Sequence, residues 1–222
     1  MKKLNIILTV MVIVCFAGTA VFLILSPDRV PVHYNFAGEV DRIGSKFEII
    51  IVPAVAAAMG VFFSFEAKQS IKKEMDSNAK IMLISGIFSV ALLSIIGFYL
   101  MIKSAGYVPG EENKVSPDML NKLVSAGIGI LLIIMGNIIP KARRNSAVGI
   151  RTKWSMANDD VWRKSQRFGG FVTVAGGLLQ VILSIFVPGM WNIAVMTLII
   201  TAVAVICAAA SYRFYRGDKE KP

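Results

Sequence analysis

Six long apolar runs constrain this chain more than any other feature. They lie at Leu4–Leu25, Phe47–Phe65, Ile81–Ile102, Met119–Ile139, Phe168–Phe186 and Trp191–Tyr212. At 1.5 Å per residue, each is long enough to cross about 30 Å of hydrocarbon. Only 17% of the 222 residues are charged, where a soluble domain carries about 25%. Those charges gather between the apolar runs, as in a membrane protein. Lys2 and Lys3 before the first run resemble the start of a signal peptide. The run is too long for a signal core, and Ala17-Gly18-Thr19-Ala20 is a weak cleavage site, so a retained anchor is expected. The expected fold is an all-α integral membrane protein of six transmembrane helices.

Charge sets the expected direction. Basic residues mark the cytoplasmic side. Lys2 and Lys3, the Glu66–Lys80 loop, the Pro140–Arg167 loop and the tail with Arg213, Arg216, Lys219 and Lys221 all fall on one side of a six-span chain. On the other side acids roughly balance bases. The expectation is N-in and C-in, with a small extracytoplasmic cap loop and a basic cytoplasmic loop. Three parts follow: residues 1–65, the first two spans with the outer loop; 66–139, spans three and four; and 140–222, the basic loop, spans five and six and the tail. The net charge of +10 is then a matter of topology and anionic lipid rather than of nucleic acid. Trp154, Trp162 and Trp191 fall near the expected interfaces, where an aromatic belt would sit. Small residues at helical spacing, among them Ala56 with Gly60, Ser85 with Ser89, Ser125 with Gly129 and Gly169 with Gly176, are expected to let helices approach closely.

The spans themselves argue against chemistry. No ionisable group falls well inside any span, and Gln180 is the one strongly polar side chain near a centre. Ion-coupled transporters usually keep such groups at mid-membrane depth. No HExxH, GxSxG, Walker A or GxGxxG pattern occurs. The single histidine, His33, lies in the first loop, so no Ser–His pair forms within the bilayer. Cys15 and Cys207 sit inside apolar runs and suggest neither a disulfide framework nor a zinc site. No enzyme activity and no cofactor are expected.

Two polar segments are more specific than linkers. In the outer loop, Val30-Pro31-Val32-His33-Tyr34-Asn35-Phe36 favours extended chain, and Ala37-Gly38-Glu39 favours a turn. His33 with Glu39 and Asp41 could share a metal, but one histidine without paired spacing is a poor donor set. The simpler expectation is that His33 and Asn35 hydrogen-bond backbone in the turn. In the inner loop, Asn158-Asp159-Asp160 suits a helix N-terminus. Gly149-Ile150-Arg151-Thr152-Lys153-Trp154 is compact and turn-like. Arg151 could fork onto a carboxylate or a phosphate; on charge alone, the loop could equally rest on anionic headgroups.

The residue pattern adds a resemblance. Gly136-Asn137, Pro140-Lys141, Asn145, Gly149-Ile150-Arg151-Thr152, Trp154-Ser155, Val161-Trp162 and Arg167-Phe168-Gly169-Gly170 resemble the signature of the SdpI family of bacterial membrane immunity proteins. Pro31, His33, Asn35, Gly38 and Asp41, with Arg42 and Gly44-Ser45-Lys46, are similar to that family's N-terminal domain of unknown function. The chain departs from the pattern at Lys153, where proline is common, at Met156, where leucine is, and at Ser165-Gln166, where Thr-His is. The resemblance implies a cell-membrane protein that protects its producer from a secreted, membrane-active peptide toxin. It also implies sequestration of a transcriptional regulator at the membrane. The expected partners are the lipid bilayer, a peptide toxin at the outer face and a cytoplasmic regulator at the inner loop. The alternative is a transporter or exporter of a small or lipid-like solute.

Overall fold

The computed structural model of the chain describes residues 1–35, 39–108 and 116–220. Within them lie six long helices, α1 (Lys2–Leu25), α2 (Ile51–Lys72), α3 (Asp76–Ala105), α4 (Pro117–Ile138), α5 (Asp159–Phe186) and α6 (Gly189–Lys219). All six are long and apolar enough to cross a membrane. Several extend past the apolar stretch into polar sequence, as α2, α3, α5 and α6 do. The clearest case is α5. It begins nine residues before Phe168, at Asp159, with Asn158 accepting from the backbone N–H groups of Asp160 and Val161.

The helices form two groups of three. In one, α1, α2 and α3 pack on one another; in the other, α4, α5 and α6 do so; the groups meet along α3 and α4. Large apolar side chains face outward, such as Ile24, Val61, Phe171, Phe186 and Leu198. Small and weakly polar ones fill the interior, among them Thr19, Ser85, Ser125 and Ser184. Lipid gives no hydrophobic drive between helices, so contact depends on close backbone approach. The tightest instance joins α4 to α5. A Cβ on Gly136 would lie 2.6 Å from the Gly170 carbonyl oxygen, and one on Gly177 would lie 2.6 Å from that of Gly129. The contact therefore uses Gly129 and Gly136 against Gly170 and Gly177. Gly169 and Gly176, expected to share a contact face, both look towards α6, at Cys207 and Val203 respectively, and Gly169 also meets Ile150 of the loop.

One end of the bundle carries a two-stranded antiparallel sheet, β1 (Arg29–Tyr34) with β2 (Val40–Ser45). The expected extended segment is β1, and a second strand, β2, pairs with it. Ser45 then caps a 3-10 helix, Lys46–Ile50, that leads into α2. The opposite end carries the chain's start, the α2–α3 turn, the α4–α5 loop and the end of α6.

Candidate functional site

The α4–α5 loop is organised by side chains that close on its backbone. Pro140 initiates a 3-10 helix, Ile139–Lys141, that ends α4, and its ring packs on Gly170. Asn137 turns back on its own helix, donating to the Ile133 carbonyl at 2.8 Å. Asn145 accepts from the N–H groups of Ala147 and Val148, both at 2.7 Å, and donates to the carbonyls of Arg143 and Val148. A loop with this many internal bonds holds one shape instead of sampling many.

Two buried amides clamp it from neighbouring helices. Asn78, at the start of α3, accepts from Arg143 N at 2.9 Å and donates to Arg143 O at 3.2 Å. Gln166, on α5, does the same to Ile150: Oε1 accepts from the N–H at 2.9 Å and Nε2 donates to the carbonyl at 3.0 Å. Gly149 sits beside this clamp at φ +105°, and a Cβ there would press on Gln166 Oε1. Positive φ is strained for a side-chain-bearing residue, so both backbone angle and space call for glycine here. Ile150 then inserts its side chain over Gly169.

The remainder of the signature anchors to α5 and α6. Ser155 Oγ donates to Ile150 O at 2.7 Å and accepts from Thr152 N. Thr152 Oγ1 meets Ser211 Oγ at 2.7 Å, and the Trp154 ring lies 5.0 Å from that of Tyr212. Trp162 is 2% exposed, and its indole donates to Ala142 O at 2.8 Å. It is an interior anchor of the loop, not the interfacial belt residue expected; Trp191 is the exposed one. Arg144 joins Asp159 at 2.8 Å. Arg151 donates one guanidinium nitrogen to Ser146 O; no two-pronged bond to a carboxylate occurs among the described residues. Arg167 is exposed.

At the other end, the sheet docks on α3 through Ser104. Its hydroxyl donates to Pro31 O at 2.9 Å and lies 3.2 Å from the Tyr34 hydroxyl, which is left to donate. Burial pushes the Tyr34 phenol above its ordinary pKa. His33 Nδ1 lies 2.6 Å from Asp41 Oδ1. This side-chain pair replaces the expected bond to backbone, because β2 brings Asp41 alongside. Asn35 does bond backbone as expected, accepting from Glu39 N at 3.0 Å. Gly38 lies outside the described residues. Beneath the sheet, a cavity of about 650 Å³ is lined by Val32, His33, Arg42, Val52, Leu100 and Leu120, among others. No group of three or more His, Cys, Asp or Glu suited to a metal occurs among the described residues.

Both regions coincide with known sequence families. Residues 141–210 match the SdpI/YfhL protein family, and residues 10–57 match a domain of unknown function, DUF1648. The chain is 28% identical over 216 residues to the immunity protein SdpI of Bacillus subtilis (strain 168), covering 97% of each chain. The chain is thus similar to the SdpI family over residues 141–210 and to this immunity protein along nearly its whole length. It is accordingly a multi-pass protein of the cell membrane. No solved structure matches it. The SdpI match begins at Lys141, where the clamped loop begins, and the match to the domain of unknown function ends in α2 just past the sheet. Asn78, Gln166 and Ser104, which hold these two regions in place, were not singled out from the sequence as site residues. Asn and Gln buried beside a loop rich in backbone polar groups are the signal that could have found two of them.

Proposed function

We propose that this chain is an immunity and sensing protein that protects its cell from a secreted, membrane-active peptide. The observation that carries this is end-to-end similarity to an immunity protein, covering 97% of both chains. In this reading the basic end is cytoplasmic and the sheet faces outward. The cavity beneath the sheet supports contact with an amphipathic peptide: apolar walls from Val52, Leu100 and Leu120 stand beside His33, Arg42 and Glu48. The clamped loop at the opposite end offers a fixed surface on which a cytoplasmic transcriptional regulator would be held.

The test is survival. Expression in a sensitive host should raise survival against a membrane-active bacterial peptide, beginning with any encoded beside this gene. No survival difference against any such peptide would remove the reading. Solute flux through the purified, reconstituted protein would then be the measurement to make.

A further inference from the structure

The signature residue Arg151 opens onto a groove with a second, opposite charge. The groove holds about 600 Å³ and is lined by the end of α2, the first half of α3, the end of α4 and the loop around Gly149. Glu66 of α2 and Arg151 of the loop both line it, 85 positions apart in sequence, and they form no ion pair with each other. Glu66 has no hydrogen-bond or salt-bridge partner among the described residues, and Arg151 spends one nitrogen on Ser146 O. Phe62, Met82, Leu131 and Met135 also line it. Ser85, also in the lining, is already satisfied by Ile81 O and Met135 Sδ, so the walls make little further polar demand.

Depth fits a lipid. Glu66 lies six residues from the end of α2, about 9 Å along the axis, near the boundary of headgroup and hydrocarbon. Ser89 lies thirteen residues into α3, about 20 Å along, among acyl chains. The groove thus begins with a separated anion and cation and continues as an apolar channel with adaptable methionines.

We infer that this groove binds a glycerophospholipid with a phosphoethanolamine headgroup from the leaflet at the basic end of the bundle. The phosphate takes the free prongs of Arg151, which suit its oxygens. The primary ammonium donates to Glu66, and one acyl chain lies along Phe62, Met82 and Leu131. A phosphoglycerol headgroup gives Glu66 no cation, and a phosphocholine headgroup gives it no N–H donor. This inference stands apart from the immunity reading, since its readout involves neither toxin nor survival.

The test uses the full chain in detergent, offered equimolar phosphatidylethanolamine, phosphatidylglycerol and phosphatidylcholine of identical acyl chains, with retained lipid read by native mass spectrometry. Phosphatidylethanolamine should be retained about fivefold over each of the others, as one added charge contact at an interface implies. Glu66→Gln should abolish its advantage over phosphatidylglycerol. Arg151→Gln should lower retention of all three. Glu66→Gln breaks no bond among the described residues and decides the matter if Arg151→Gln does not fold. Equal retention of the three lipids, or a preference that survives Glu66→Gln, would overturn the inference.

Discussion

Gln166 holds Ile150 by both of its backbone groups, accepting its N–H at 2.9 Å and donating to its carbonyl at 3.0 Å, from a side chain wholly shielded from solvent. This contact sets the Gly149–Trp154 segment against α5. Ser155 also donates to the Ile150 carbonyl, so truncating Gln166 strands chiefly the N–H. A buried unpaired donor costs about 1–3 kcal/mol. Gln166→Ala should lower the thermal midpoint of the detergent-purified protein and speed proteolysis within residues 142–158, with the six helices intact by circular dichroism. An unchanged midpoint and cleavage pattern would show that the loop is held elsewhere.

Ser104 plays the corresponding part at the opposite end. It is 1% exposed and joins α3 to both Pro31 and Tyr34 of β1. Ser104→Ala leaves the Pro31 carbonyl and the Tyr34 hydroxyl without this partner, at a cost of about 1–3 kcal/mol. Limited proteolysis should cut the sheet, residues 29–45, faster than in the parent, while the rest of the bundle keeps its protection.

How much of this was legible in the sequence depended on the range of the interaction. The six helices follow from local apolar length, and the Asn158 cap of α5 follows from three adjacent residues. Strand β2 was hidden because Asp41 and Gly44 are poor strand formers; pairing with β1 and the Arg42–Glu48 ion pair at 2.8 Å hold it. The turn-like character of Gly149–Trp154 was readable, but its reason was not. That reason is Gln166, sixteen positions away, just as Arg143 is held by Asn78, 65 positions away. Trp162 near a span end reads as an interfacial anchor until its indole is seen to reach Ala142 O inside the loop. Partners of this kind require knowing which helices are neighbours.

Arg151→Lys distinguishes a shaped contact from a cation resting on headgroups. Lysine supplies the charge but not the planar fork. Membrane insertion and abundance should be normal, while protection against the peptide falls. Arg143→Lys is the control: Asn78 holds the Arg143 backbone, and the side chain makes one exposed bond, to Glu74 O, that a lysine ammonium can also donate; it should keep protection. Full protection by Arg151→Lys at matched abundance would make the loop a basic surface lying on lipid.

The proposed orientation has its own check. Ser45 and Ser146 are both exposed, at opposite ends of the bundle. Single cysteines at these positions, with Cys15 and Cys207 replaced, should label differently with an impermeant thiol reagent on intact cells: position 45 strongly, position 146 only after permeabilisation. Equal labelling, or labelling at 146 alone, contradicts an outward-facing sheet.

Membrane potential tests the immunity reading most directly. A voltage-sensitive dye should be followed in sensitive cells challenged with the membrane-active peptide, with the chain expressed or absent. Cells carrying it should hold their potential while control cells depolarise, and cells carrying Arg151→Lys at equal abundance should depolarise substantially. Depolarisation at the same rate with and without the chain would contradict the account.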